Sequence, residues 1–322
     1  MDGILIIDKP EKLTSHDVVA RLRRILKTKR IGHTGTLDPF ATGVLVMLVG
    51  KATRLAQFLD KDKKEYEAVV SFGYSTDTGD RTGAPKPVSD SRFQIPDSRF
   101  QITNEEIENV LKSFRGEIEQ TPPMYSAKKI DGVKLYELAR KGIEIEREAV
   151  KIIIYNLEMI SSPRRSAANK IESPTADKNF GIWNLEFGIR ISCSAGTYIR
   201  TLAEDIGKQL ETGAHLAELR RTKAGKFDLS QAATIEELEL IVSENRLPEV
   251  LISMNEAVSH LPQVVLNEKE IEDTKNGKRL RIENVALADN QTVRMNDGAD
   301  NLMAIGFYKA EEKSIQPKLV LI

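Results

Sequence analysis

The sequence lacks the features by which several classes of protein are recognised. It has one cysteine, Cys193, in 322 residues, so no internal disulfide can form. Its four histidines lack the Cys-x-x-Cys or His-Glu-x-x-His spacing of common zinc sites, and no apolar run approaches the roughly 20 residues of a membrane-spanning helix. The first residues do not follow the basic, apolar and cleavable succession of a secretory signal. We therefore expect a cytoplasmic protein without a structural zinc site.

The net charge of the chain is also close to zero. The 47 basic and 48 acidic side chains leave a formal charge of −1, so a polyanionic partner would have to meet a local basic surface. One such surface is predicted on the first helix, where six basic residues and no acid occur: Arg21, Arg23, Arg24, Lys27, Lys29 and Arg30. For this segment, nucleic-acid contact and an ordinary solvated helix face both stay open.

Hydrophobic periodicity predicts a large domain that mixes strands and helices. Buried or half-buried strands are predicted at residues 3–7, 43–50, 65–72, 148–160 and 182–193. Helical spacing begins near Ser15 and recurs over residues 52–59. Thr103 and Glu106 form the capping box of a further helix that is predicted to end at Gly116.

The pattern changes to a small, β-rich domain beyond about residue 260. Short strands are predicted near residues 263–266, 285–288, 291–295, 302–307 and 318–322. One helix should start around Asn267 and end before Gly277. Residues 247–262 form the predicted connection between the two domains. A near-exact tandem repeat at 89–102 and a Ser- and Pro-rich stretch at 161–179 are predicted to be surface insertions that carry no chemistry.

The densest unusual stretch lies between Gly32 and Gly43 and reads Gly-His-Thr-Gly-Thr-Leu-Asp-Pro-Phe-Ala-Thr-Gly. Its three glycines are typical of a backbone that holds a special conformation. A phosphate-binding loop is a poor match, because Gly-Lys-Ser/Thr is missing and the glycines precede a strand. The carboxylate of Asp38 is either a functional group or the first residue of an ordinary Asp-Pro turn, and residue types alone leave both open.

Four further motifs accompany this loop in a fixed order. They are Asp8-Lys9-Pro10, Lys64-Glu65-Tyr66, the Pro-Pro-Met-Tyr-Ser-Ala-Lys-Lys run at 122–129 and the Cys-Ser-Ala-Gly-Thr-Tyr-Ile-Arg-Thr-Leu run at 193–202. Together the five motifs resemble the TruB family of tRNA pseudouridine-55 synthases, whose loop motif is present here at every fixed position. Residues 277–280 and 304–308 resemble the PUA RNA-binding module more loosely.

The resemblance implies an α+β architecture in two domains. Residues 1–250 would form a catalytic domain of the pseudouridine synthase fold, with a mixed, mainly antiparallel sheet and flanking helices. Within it, residues 120–146 resemble the RNA-clamping insertion of the family. Residues 251–322 would form a small β-rich, PUA-like RNA-binding domain.

The same resemblance implies the reaction and the partner. Uridine 55 in the T loop of tRNA would be isomerised to pseudouridine, with no metal or organic cofactor. Asp38 is implied as the nucleophile on a flipped-out uridine, although the sequence leaves open whether it attacks the sugar or the uracil ring. The implied partner is the T arm of tRNA. We expect a monomer that needs neither a membrane nor an obligatory protein partner.

Further site residues are assigned by the resemblance. Arg200 would pair with the catalytic carboxylate, Tyr66 would stack on the target base, and His33 would displace that base from its stack. Tyr198 and Leu219 would form further walls of the base pocket. Each has an ordinary alternative: a surface arginine, a core tyrosine or leucine, and a loop histidine without a role.

Several basic residues are assigned secondary roles. Lys9 would support the active-site loop or contact phosphate. Basic clusters at residues 220–226 and 278–281 would supply phosphate contacts, which position RNA without specifying its sequence. Both clusters could equally be solvated surface.

Two other functions stay open from the sequence. One is an RNA-binding or tRNA-folding protein of the same fold without turnover, against which the intact Asp38, Tyr66 and Arg200 argue. The other is a metal-dependent hydrolase that uses His33 and Asp38, for which no third ligand is obvious.

Overall fold

The computed structural model describes residues 1–60, 62–86, 102–130, 132–165, 185–282 and 286–322. The predicted tandem repeat lies outside the described residues except for Ile102, and so does the predicted 161–179 insertion beyond residue 165. In the described parts the strands are, in chain order, β1 (Gly3–Lys9), β2 (Ile31–Thr34), β3 (Thr42–Val49), β4 (Lys64–Phe72), β5 (Ser75–Thr76), β6 (Pro85–Lys86), β7 (Gly116–Gln120), β8 (Lys129–Ile130), β9 (Val133–Lys134), β10 (Val150–Arg165), β11 (Leu185–Cys193), β12 (Ala214–Ala224), β13 (Phe227–Asp228), β14 (Gln263–Val265), β15 (Leu280–Arg281), β16 (Thr292–Asn296), β17 (Leu302–Lys309) and β18 (Ser314–Val320).

The α-helices of the described residues are short, and several begin at an identifiable cap. They are α1 (Ser15–Ile25), α2 (Ala56–Leu59), α3 (Asn104–Ser113), α4 (Leu135–Ala139), α5 (Ile199–Gln209), α6 (Ile235–Ser243), α7 (Met254–Ala257) and α8 (Glu268–Lys275). The predicted Thr103–Glu106 capping box is present at the start of α3, and Asn267 caps α8 as expected. Within the described ranges, no helix is long and apolar enough to cross a membrane.

Two predicted helices differ from those observed. Residues 52–59 do not form one α-helix, because a 3-10 helix at Gly50–Leu55 precedes the four residues of α2. Helix α3 ends at Ser113, before the predicted Gly116. That glycine begins β7 with a φ of +98°, a backbone conformation that other residues rarely adopt.

A nine-stranded sheet forms the larger part of the chain. Its order is β1-β3-β12-β4-β11-β10-β7, with β2 beside β3 and β13 beside β12. Its described pairings are antiparallel except for β3 with β12, which confirms the predicted mixed, mainly antiparallel sheet. Apolar residues of α1, α3, α5 and α6 pack with this sheet in one hydrophobic core. Full burial of one aliphatic side chain contributes roughly 1.5–3 kcal/mol, so this core dominates the stability of the domain.

The parallel pairing of β3 with β12 places the unusual glycine-rich loop. Arg220 and Arg221 lie opposite Thr42 and Gly43, the residues at which the loop enters β3. A Cβ atom at position 43 would lie 2.2 Å from the carbonyl oxygen of Arg221, and the φ of Gly43 is +99°. Glycine is therefore required here for close approach of two backbones, and the loop is held against the middle of the sheet.

A second sheet of five strands, in the order β14-β16-β17-β18-β15, forms the C-terminal part. It confirms the predicted β-rich unit. The prediction of a strand near 285–288 is wrong for residues 286–288, which belong to no strand. Residue 285 lies outside the described part of the chain. The pairing is made instead by β15, where Leu280 and Arg281 lie opposite Ile315 and Ser314. The assignment to a PUA-like module stays a prediction.

The two sheets share a hydrophobic core. Ile305 and Leu319 of the second sheet pack in one cluster with Ile4 and Val46 of the first. The backbone of Ile252 also exchanges two hydrogen bonds with Ile4, at 2.8 and 2.9 Å. A chain cut at the predicted 250/251 boundary would therefore expose a contiguous apolar face to water.

Candidate active site

A cavity of about 290 Å³ opens between the first sheet, the loop that follows β2 and the start of α5. Its walls include five of the residues assigned from the sequence: Asp38, Tyr66, Tyr198, Arg200 and Leu219. They come from the loop, from β4 and β12, and from the first turn of α5. The fold thus brings together residues that are far apart in the chain.

Asp38 and Arg200 form a two-contact ion pair at this cavity. Arg200 Nε lies 2.9 Å from Asp38 Oδ2, and Arg200 Nη2 donates to Asp38 Oδ1 at 3.3 Å. The arginine side chain is only 6% exposed, which excludes the surface-arginine alternative, whereas 34% of the Asp38 side chain is exposed. The guanidinium therefore orients the carboxylate and leaves part of it accessible from the cavity.

The remaining donors of Arg200 are fixed by two other segments. Its Nη1 donates to the carbonyl of Thr78 and its Nη2 to the carbonyl of Tyr125, both at 2.7 Å. The buried carboxylate of Asp80 lies 3.8 Å from Nη1. Asp80 was not among the site residues predicted from the sequence. The sequence feature that points to this residue is the Thr-Asp-Thr-Gly-Asp run at 76–80, whose composition predicts a tight turn.

The loop that carries Asp38 is held by side chains from outside it. The fully buried Lys9 donates from Nζ to the carbonyls of Pro10, Leu13 and Pro39 at 2.9, 2.7 and 3.3 Å. Burial lowers the pKa of Lys9 to about 8, although the nearby Asp38 carboxylate opposes this shift. This position favours the loop-supporting role of Lys9 over phosphate contact.

The turn alternative for Asp38 is also present in the structure. The backbone N–H of Ala41 donates to the carbonyl of Asp38 at 3.1 Å, which closes the Asp-Pro turn. Ser15 Oγ binds both the N–H and the carbonyl of Leu37, at 2.9 and 3.2 Å. The turn and this anchor project the Asp38 side chain toward Arg200, so the turn geometry and a functional carboxylate are compatible.

Two further cations line the cavity from inside the protein. Arg221 is almost fully buried and donates to the carbonyls of Val44 and Gly35 at 2.7 and 2.8 Å. Lys64 donates to the carbonyls of Asp60 and Asp62. Burial lowers the pKa of Lys64, and the neighbouring Arg221 adds to that effect. Both cations fix the backbone around the loop.

Several residues of the two predicted basic clusters are engaged in contacts within the protein. In the first, Arg221 is interior, Arg220 pairs with Asp8 at 2.6 Å, and Lys226 donates to the carbonyl of Glu256. In the second, Lys278 pairs with Asp273 at 2.8 Å, and Arg279 forms an ion pair with Glu312. Arg221 is therefore too buried to contact RNA phosphates, whereas phosphate contact by the other residues of the two clusters stays a prediction.

The aromatic and aliphatic walls of the cavity come mainly from the sheet. Tyr66 and Leu219 are both buried core residues that also line the cavity. Packing in the core and forming a wall of the cavity are therefore compatible for these two side chains. Burial raises the pKa of Tyr66 and keeps its hydroxyl neutral. Tyr198 is half-buried at the start of α5. These three side chains give the cavity aromatic and aliphatic surface beside the Asp38 carboxylate.

His33 does not line the cavity. It lies on β2 opposite Met47, and its buried Nδ1 has no hydrogen-bond partner in the described part of the chain. Burial lowers its pKa, and the neighbouring His16 and Arg221 add to this, so the ring is neutral at neutral pH. No group of three or more potential metal ligands is found among the described residues. The structure therefore does not assemble His33 and Asp38 as a metal site.

The electrostatic balance at Asp38 differs from that of an exposed aspartate. Burial raises the pKa of the Asp38 carboxyl, and the Asp80 carboxylate adds to the rise. Arg200 and Lys9 act in the opposite direction, since their positive charges favour the ionised form. The net direction is upward, which is common for carboxyl groups at reactive sites.

Family comparisons cover most of the chain. Residues 23–199 match the N-terminal domain of the TruB family pseudouridylate synthases, and residues 200–259 match the C-terminal domain of tRNA pseudouridylate synthase B. A protein of Solibacter usitatus (strain Ellin6076) named tRNA pseudouridine synthase B is 42% identical over 278 residues, 86% of this chain and 85% of the relative. A protein of the same name from Geobacillus thermodenitrificans (strain NG80-2) is 43% identical over 282 residues, 88% of this chain and 86% of the relative.

Solved structures show the same fold over nearly the whole chain. A chain of a Cbf5-Nop10-Gar1 complex aligns with a TM-score of 0.70 at 25% identity, covering 99% of this chain and 85% of that one. A chain of an H/ACA RNP bound to a substrate RNA containing 2′-deoxyuridine aligns with a TM-score of 0.69 at 24% identity, with the same coverage. The sequence matches and the assembled site agree, and the chain belongs to the TruB family of pseudouridylate synthases, which are isomerases.

Proposed function

We propose that the protein converts uridine 55 in the T loop of tRNA to pseudouridine, with Asp38 as the nucleophile. One observation carries the proposal: the Asp38 carboxylate, held by Arg200, faces a cavity with aromatic and aliphatic walls. The names of the relatives support tRNA as the substrate. The position in tRNA is supported by the resemblance of the five sequence motifs to the family.

The reaction needs a nucleophile, and it conserves every atom of the substrate. The bond between ribose C1′ and uracil N1 breaks, a bond between C1′ and C5 forms, and the C5 proton is replaced by a proton at N1. The ionised Asp38 attacks covalently and is later expelled, so it is regenerated. Arg200 holds both carboxylate oxygens, while the walls of the cavity retain the uracil between detachment and reattachment.

The target base must leave its stack before it can reach Asp38. Tyr66 and Tyr198 supply aromatic surface at the cavity, which suits a flipped-out base. His33 lies on the strand that leads into the Asp38 loop, outside the cavity walls. From there it would take the place of the displaced base in the RNA loop, and its neutral ring fits a wedge better than an acid or base.

The segment 120–146 is proposed as the RNA clamp. Its Ser126 and Ala127 line the cavity, and its Tyr125 carbonyl binds Arg200. RNA held by this segment would therefore lie beside the reacting carboxylate. We further propose that the protein acts as a cytoplasmic monomer on the T arm.

The basic face of α1 is proposed to contact RNA phosphates. Three basic residues of α1 (Arg21, Arg23 and Arg24) and three that follow it (Lys27, Lys29 and Arg30) are all exposed, and none forms an ion pair with another described residue. The helix starts at the Asp38 loop, because its first residue, Ser15, binds Leu37. At about 1.5 Å per residue the helix extends roughly 16 Å, which is long enough to follow several phosphates.

Neutralising this face should weaken tRNA binding and reduce its dependence on salt. With Arg21, Arg24 and Lys27 replaced by glutamine, we expect the slope of log K against log salt to fall by about 1 per lost contact. The single-turnover rate at saturating tRNA should be unchanged, since none of the three lines the cavity. Glutamine at Lys151, Lys208 and Arg246, which form ion pairs elsewhere, is the matched control. Equal slopes for the two triple variants would remove α1 from the RNA interface.

The raised pKa of Asp38 predicts how the rate depends on pH. The nucleophile must be ionised, so the single-turnover rate should fall as the pH drops through a pKa that lies above the ordinary value of 3.8. The measurement is the pH profile of the rate at saturating tRNA, with tRNA binding followed in parallel. A rate that stays constant down to about pH 4, close to the ordinary pKa of an aspartate, would contradict this assignment.

Product mapping tests the function directly. Purified protein is incubated with a tRNA transcript labelled with tritium at uracil C5, and release of tritium is followed by mapping of pseudouridine. We expect release and a single modified position, 55, and no release from a transcript with cytidine at that position. Binding without release would favour the RNA-binding or tRNA-folding alternative. Activity that a strong chelator abolishes would favour metal-dependent chemistry.

A further inference from the structure

Gln120 makes an unusual bridge between the sheet edge and the start of α5. It is the last residue of β7 and is 2% exposed. Its Oε1 accepts from the backbone N–H of Tyr198 at 2.7 Å, and its Nε2 donates to the backbone carbonyl of Tyr198 at 3.0 Å. One carboxamide thus pairs both backbone polar groups of a single residue, as the main chain of a neighbouring strand would.

The first turn of α5 depends on this bridge. Tyr198 is its N-cap residue and has no side-chain cap, whereas Ser, Thr, Asp or Asn at this position would supply an acceptor of its own. The carbonyl of Tyr198 already accepts the first helical hydrogen bond, from Leu202 at 3.1 Å, so Gln120 binds the helix at its origin. Arg200 follows two residues later in the same turn. A shift of Tyr198 would therefore be transmitted to the guanidinium that holds Asp38.

A second connection reaches the same guanidinium from the other side. The chain that leaves Gln120 carries Tyr125, whose carbonyl accepts from Arg200 Nη2 at 2.7 Å. Gln120 thereby anchors both the origin of α5 and the beginning of the segment proposed as the RNA clamp. It does not itself line the cavity, so it acts through its neighbours.

We infer that Gln120 is a positioning residue for the reaction: its carboxamide fixes the origin of α5 and thereby sets the Arg200 guanidinium and the Tyr198 ring against Asp38. This inference rests on the proposed function and adds a residue to it. It also explains why the last residue of an edge strand is a fully buried amide. If this position needed only to end a strand, many apolar residues would serve as well as glutamine.

The test replaces Gln120 with methionine, which has similar length but forms neither bond. We expect the single-turnover rate at saturating tRNA to fall about 10- to 100-fold, as for a misplacement of catalytic groups by a fraction of an ångström to 1 Å. The Kd for tRNA should change by less than about two-fold, because the variant disturbs the arrangement of groups in the transition state and leaves the contacts that bind tRNA in place. The acid limb of the pH profile should move to higher pH, since a displaced Arg200 lowers the pKa of Asp38 less.

The matched control is Asn255→Leu, which also removes a buried carboxamide. Asn255 Oδ1 accepts from Arg294 at 2.5 Å and lies outside the cavity. The Asn255→Leu variant should keep the single-turnover rate and the pH profile of the wild type. Gln120→Asn provides a second variant: it keeps the amide but is one methylene too short to span both Tyr198 atoms, and we expect the same loss of rate and the same shift of the acid limb.

The outcomes separate this inference from the proposed function. Wild-type protein that forms no pseudouridine would overturn the proposed function itself. An active wild type with an unchanged rate in folded Gln120→Met would overturn only the role of Gln120. An unshifted acid limb, or loss of the folded state in both Gln120 variants, would show that the bridge serves general stability and would also overturn it.

Discussion

Asp38→Asn is expected to abolish pseudouridine formation, with a loss of rate on the order of 10⁴-fold or more. The amide preserves the shape of the side chain and can still accept from Arg200, but it cannot act as an anionic nucleophile. The fold should persist, because Asp38 holds its turn through the backbone carbonyl that binds Ala41. The measurement is tritium release under single-turnover conditions, together with the thermal unfolding midpoint and the Kd for tRNA, both of which should stay near the wild-type values.

The control for this variant is Asp8→Asn. Asp8 is also held by an arginine in two contacts, since Arg220 Nη1 and Nη2 lie 3.0 and 2.6 Å from its two oxygens. It does not line the cavity. The two variants therefore make the same chemical change to an arginine–carboxylate pair, but only Asp38 lies at the cavity. Substantial turnover by Asp38→Asn would show that Asp38 is not the nucleophile. A comparable loss of activity in both variants would show that the loss is not specific to the position of Asp38.

Arg200→Lys should have the second-largest effect, a loss of rate of about 10²- to 10³-fold at saturating tRNA. A lysine keeps the positive charge but replaces a planar fork with a point charge, so it cannot hold Asp38, Thr78 and Tyr125 together. Two buried carbonyls would then compete for one ammonium group. The acid limb of the pH profile should also move to higher pH, because one ammonium group cannot reproduce both contacts of Arg200 with Asp38 and therefore lowers the pKa of that carboxyl less.

The matched change is Arg220→Lys, which alters the equivalent pair with Asp8. Single-turnover rates of the two lysine variants, measured with the same tRNA, separate a site-specific effect from a general effect of losing an arginine fork. We expect Arg220→Lys to retain a rate near that of the wild type. A rate for Arg200→Lys equal to that of Arg220→Lys would remove Arg200 from the catalytic arrangement.

Part of the candidate site could be predicted because its motifs are local in sequence. The resemblance of the 32–43 loop and the 193–202 run to known motifs led to Asp38 and Arg200, and the structure places the two side chains in contact. Asp80 and Gln120 were not predicted. Their partners are a guanidinium and a backbone more than 70 residues away, and nothing in the neighbouring sequence marks such a contact. His33 was predicted and lies outside the cavity, because its strand pairs with β3 and directs it elsewhere.

The sequence by itself determined the features that depend on neighbours within a few residues. Alternation in β4 and the capping box at Thr103 and Glu106 are such features, because strand faces repeat every two residues and a helix cap spans three. Only the tertiary structure decided which charged side chains are interior. Arg221 and Lys9 look like surface cations in the sequence, but they are buried against backbone carbonyls, which carry no residue-specific signal. Their burial follows from the parallel register of β3 with β12 and from the path of the Asp38 loop, and long-range pairing fixes both.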